Sequence, residues 1–104
     1  MINFDLMNRN IRSVERFRNG PVDPAEIIPE VVNELQQMRE ELSPLIDTLP
    51  EENMRIILTL FYMEGFTAEE IAEAGEMSDR NVFYYLKRGK TWLKETYPDR
   101  ITLS

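Results

Sequence analysis

The sequence predicts an all-α protein. Three observations carry that prediction. Apolar residues recur at spacings of three and four along most of the chain, and no stretch alternates convincingly as a strand. The breaks between these runs fall on Gly or Pro, or on Ser, Thr, Asn and Asp placed as helix caps. With 104 residues, 42% hydrophobic and 30% charged, there is apolar side chain for one modest core and no more.

The elements follow in order. Phe4, Met7, Ile11, Val14 and Phe17 form one stripe, with Asn3 as cap and Asn19-Gly20-Pro21 as stop, so residues 3–18 read as an amphipathic helix. Pro29 can begin a second helix, in which Val31, Leu35, Met38, Leu42, Leu45 and Leu49 recur in a short heptad-like stripe. Pro44 is expected to end or kink it near Ser43. Leu49-Pro50-Glu51-Glu52 opens a third helix, whose apolar residues are Ile56, Ile57, Leu60, Phe61 and Met63 and whose stop is Gly65. Thr67-Ala68-Glu69-Glu70 has the pattern of a capping box and starts a short helix carrying Ile71, Ala72 and Ala74. After Gly75-Glu76-Met77, Ser78 caps a last helix to about Glu95, with Val82, Leu86, Gly89, Trp92 and Leu93 inward and Pro98 closing it. The expected division is a helical arm at 1–48, a C-terminal domain at 49–97 and a tail at 98–104.

Composition excludes several functions. There is no Cys and no His, which removes disulfides, Cys or His zinc sites, thiol nucleophiles and a Ser-His-Asp triad. No Asp-rich loop with a central Gly offers a calcium site, and no Gly-rich loop cradles a phosphate. Neither an enzyme nor a cofactor or metal is expected. No apolar run is long enough to span a bilayer, and MINFDLMNRN lacks the marks of a secretory leader, so a cytoplasmic protein without membrane partners is expected.

The net charge of −7 argues against nucleic acid when taken alone, but the charge is segregated. Arg9, Arg12, Arg16 and Arg18 make the N-terminal end positive, and Arg80, Lys87, Arg88, Lys90, Lys94 and Arg100 do the same at the C-terminal end. The middle is acidic. Two capped helices a few residues apart, the first only two turns long, describe a helix-turn-helix. Its tight crossing requires a small residue, which Ala72 supplies. The fold class is therefore all-α, a C-terminal helix-turn-helix bundle preceded by two N-terminal amphipathic helices. On the last helix the inward stripe leaves Asp79, Arg80, Phe83, Tyr84, Lys87 and Arg88 on or near the outer face. Tyr85 and Trp92 read as core.

From Leu49 to about Leu93 the chain resembles region 4 of bacterial sigma factors. The resemblance rests on Leu49-Pro50-Glu51, Leu60-Phe61-Tyr62-Met63-Glu64-Gly65-Phe66-Thr67, Glu69-Glu70-Ile71-Ala72-Glu73, Met77-Ser78, Val82, Leu86, Arg88-Gly89-Lys90 and Leu93. The family usually has its turn glycine at the place of Glu76, whereas here it stands at Gly75, so the short helix is expected to end differently. Nothing upstream resembles the other regions of a complete sigma factor, and the size is more like that of small phage and prophage regulators. The resemblance implies transcription regulation through double-stranded DNA, with RNA polymerase as a further possible partner. It assigns base edges to Asp79, Arg80, Phe83 and Tyr84, with Ser78 and Asn81 on the same turn. Phosphates fall to Lys87, Arg88, Lys90 and the helix start at Thr67. Two alternatives stand beside this reading. One is an acidic protein-interaction module that keeps the fold without DNA, and the other is a DNA-packaging recognition subunit. Glu69, Glu70 and Glu73 beside the DNA face speak against nucleic acid. The N-terminal stripes are expected to pair two copies as a homodimer through residues 3–43.

Overall fold

The computed structural model describes residues 1–8 and 29–102. The chain opens with a helical stretch at residues 4–8, where the Asn3 side-chain oxygen accepts the Leu6 N–H at 3.0 Å, as the cap pattern predicts. Its expected continuation through Ile11, Val14 and Phe17 to the stop at Gly20 lies outside the described residues. Four longer elements follow: α1 (Pro29–Ile46), α2 (Glu52–Leu58, running directly into a π-helical turn at Thr59–Met63), α3 (Ala68–Ala74) and α4 (Asp79–Thr96). Among the described residues there is no strand, only an isolated bridge between Ile2 and Ile101. The fold is all-α.

α1 does not end near Ser43, since the helix passes through Pro44 and ends at Ile46. The proline sits in the last turn, and the two residues after it, Leu45 and Ile46, are both buried. Packing holds a turn that local propensity would release. Leu35, Met38, Leu42, Leu45 and Leu49 all face inward, as their spacing predicts.

In α2, Met54, Ile57 and Leu58 are buried, but Ile56 lies off that stripe and is 48% exposed. The π-helical turn is closed by the Glu64 N–H donating to the Thr59 carbonyl at 3.1 Å, and Gly65 (φ 76°) stops it as expected. The turn carries Tyr62 into the core and leaves Leu60, Phe61 and Met63 half-buried. Tyr62 meets Phe4 at 5.4 Å and the edge of Phe61 at 4.9 Å between ring centroids. Burial, helped by nearby Asp5, raises its phenol pKa above the ordinary value, so Tyr62 is a neutral core residue. Arg39 of α1 donates its Nε–H to the Tyr62 carbonyl at 2.7 Å, satisfying an acceptor in the irregular turn.

One buried cluster joins elements from both ends of the described residues. Ile2, Phe4 and Met7, the α1 stripe, and Val82, Leu86 and Leu93 of α4 belong to the same buried cluster. Among the described residues this cluster crosses the expected boundary between 1–48 and 49–97. Of the α1 stripe expected to help pair two copies, Leu35, Met38, Leu42 and Leu45 are buried within one chain; the companion stripe at Ile11, Val14 and Phe17 lies outside the described residues. The segment read as a tail is bonded back to the start of the chain as far as residue 102. Ile101 is buried, the Ile2 N–H donates to the Arg100 carbonyl at 2.9 Å, and the Thr102 N–H donates to the Ile2 carbonyl at 2.7 Å. Tyr97 adds a tie, its hydroxyl 2.8 Å from the Thr48 hydroxyl.

Candidate nucleic-acid interface

The local chemistry of α3 and α4 builds the site. Thr67 caps α3 reciprocally: its hydroxyl accepts the Glu70 N–H at 3.0 Å, and its own N–H donates to Glu70 Oε1 at 3.1 Å. α3 closes with the Met77 N–H on the Ala72 carbonyl at 2.9 Å and the Glu76 N–H on the Glu73 carbonyl at 3.3 Å. This double closure needs one residue in the left-handed region. Glu76 takes it (φ 52°), while Gly75 does not (φ −91°). The glycine one residue early thus changes which residue bears the turn, while the turn itself is made. Gly75 serves space instead, because a Cβ there would stand 3.0 Å from the Met77 methyl. Ser78 then caps α4 by accepting the Asn81 N–H at 3.2 Å.

α4 packs against both α2 and α3. Val82, Leu86, Gly89 and Leu93 are buried, and Ala72 is buried on α3, as predicted. Tyr85 and Trp92 are half-buried at the rim of the core; the Tyr85 hydroxyl accepts from Asn53 Nδ2 at 3.3 Å. On the opposite side Ser78, Asp79, Arg80 and Asn81 are exposed together on the first turn. Phe83 and Tyr84 follow at 59% and 51% exposure, and Lys87 and Arg88 are exposed one turn further on. Lys90 is half-buried, and burial, with Lys94 beside it, lowers its pKa.

Two of the sites transferred from the resemblance are already engaged within the chain. The Thr67 N–H that would meet a phosphate donates to Glu70 instead. Arg88 donates to the Tyr84 hydroxyl at 2.9 Å, stands 5.6 Å from the centre of that ring, and reaches Glu51 at 3.3 Å. These contacts, led by the Tyr84 hydrogen bond, raise the Arg88 pKa. Glu51 was legible only as a helix opener, because nothing local links it to a residue on another helix. Away from this face, Leu60, Phe66, Ile71 and Ala74 line a shallow groove of about 400 Å³ rimmed by Glu70 and Glu73. Among the described residues no group of carboxylates could hold a metal ion, and no helix is long and apolar enough to cross a membrane.

A short capped helix packed against a longer one, with the outer face of the longer one's first two turns open to solvent, defines a helix-turn-helix protein. The sequence pattern of the family described as sigma-70, region 4 matches residues 39–93, and the chain belongs to that family. Domains of this family bind DNA and RNA polymerase in general. The matched stretch begins inside α1, ahead of the boundary at Leu49 that the sequence suggested. No curated protein and no solved structure matches the chain.

Proposed function

We propose that this chain is a sequence-directed, DNA-binding transcription regulator of the small phage or prophage type, acting in the cytoplasm by binding rather than catalysis. The observation that carries the proposal is the outer face of α4. Phe83 and Tyr84 are exposed there next to Arg80 and Lys87, on a helix whose other face is fully used in packing. An exposed aromatic pair of this kind suits thymine methyls, Arg80 suits guanine, and Asp79 can accept from cytosine. Lys87 and Arg88 suit the phosphate backbone.

Retention on duplex DNA at low salt, lost steeply as salt rises, is the expected behaviour. Arg80→Ala should cost about 1–3 kcal/mol at one base position and relax preference there. Arg88→Ala should weaken all sequences alike and flatten the salt dependence. A chain that is not retained at low salt is not a DNA-binding protein. In that case the groove at Leu60, Phe66, Ile71 and Ala74, apolar with an acidic rim, supports the second reading, a surface for RNA polymerase or another protein.

A further inference from the structure

Glu51 stands at the start of α2, where its backbone is extended and its side chain makes no capping bond. Its carboxylate reaches across to α4 instead and meets Arg88 Nη2 at 3.3 Å. Arg88 Nη1 donates to the Tyr84 hydroxyl at 2.9 Å, so both terminal nitrogens of the guanidinium are engaged within the chain. The side chains of the ion pair are 52% and 42% exposed, so it can open without disturbing the core. Arg80 and Lys87, exposed on the same face of α4, have no acidic partner among the described residues. Glu51 offers Arg88 what a phosphate would offer it, a negative charge and acceptor oxygens for the guanidinium N–H groups.

We infer that Glu51 is an internal competitor for the DNA backbone: it holds Arg88 in the free protein, and a phosphate must displace it before Arg88 can contact the duplex. The inference rests on the DNA-binding reading and deepens it, giving a residue outside the proposed contacts a part in setting affinity. The exchange takes place at the backbone and carries no sequence information, so it lowers affinity for every duplex by the same factor. Non-specific complexes have only backbone contacts to hold them, and these are brought nearest to release.

The test measures binding of the full chain to duplex DNA across a salt series. Glu51→Gln should bind about two- to fivefold more tightly at low salt whatever the sequence, the range expected for breaking an exposed ion pair. The gain should shrink as salt rises. Glu52 is exposed one residue further along and makes no ion pair among the described residues. Glu52→Gln removes the same charge without touching Arg88, and should gain clearly less. In an Arg88→Gln background Glu51→Gln should gain no more than Glu52→Gln does, which separates competition for Arg88 from general repulsion of phosphate. Equal binding by wild type and Glu51→Gln overturns the inference and leaves the DNA-binding reading standing. So does an equal gain from Glu52→Gln, or a gain undiminished in the Arg88→Gln background. If wild type is not retained at low salt, retention of Glu51→Gln supports the inference, and loss of both chains overturns it together with the DNA-binding reading.

Discussion

Glu76 occupies a conformation in which a side chain is crowded by its own backbone, and the turn between α3 and α4 depends on it. The flanking closures fix the turn's shape, so the strain stays local. Glu76→Gly should therefore stabilise the fold by about 1 kcal/mol, raising the melting temperature by about 4 °C or more. Glu76→Ala removes the same charge without freeing the backbone and should gain nothing. A melting temperature that is unchanged or lower in Glu76→Gly would show that the left-handed residue bears no strain. The sequence put a glycine in this turn, but two adjacent positions compete for the left-handed place. Only the closure from Met77 back to Ala72 decides between them.

At the scale of elements, α2 and α4 meet closely at Gly89. A Cβ there would stand 2.7 and 2.9 Å from the two methyls of Leu58, which is fully buried. Gly89→Ala should gain about 1 kcal/mol of helix propensity and lose more to overpacking, leaving a net destabilisation of about 1–2 kcal/mol in denaturant titration. In the Leu58→Ala background the same change should cost markedly less, which a double-mutant cycle measures. Additive effects would mean that the two residues do not meet. The inward register of α4 was legible because Val82, Leu86, Gly89 and Leu93 keep one period over three turns. The capping box at Thr67 and the cap at Ser78 were legible because their chemistry is local. The π-helical turn was not. It arises from tertiary packing, and with it came Tyr62 in the core and the half-burial of Phe61 and Leu60.

For the whole molecule the decisive feature is the meeting of residues 2 and 101. Ile101 follows Pro98 in a short polar stretch, so it has no periodicity to betray its burial. The candidate contacts on α4 were legible as exposed residues, but the pairing of Arg88 with Glu51 joins distant parts of the chain. Ile101→Ala should cost about 2–5 kcal/mol, against almost nothing for a true tail, and thermal unfolding distinguishes the two. The bridge also has a kinetic consequence. It closes a loop running from residue 2 to residue 101, whereas the described helices close locally, so its closure entropy is met only after the helices have docked. Ile101→Ala should accordingly leave the refolding rate almost unchanged and place nearly all of its effect on the unfolding rate. Ile2 and Ile101 then act as a late clasp that sets how long the folded state lasts rather than how fast it is reached.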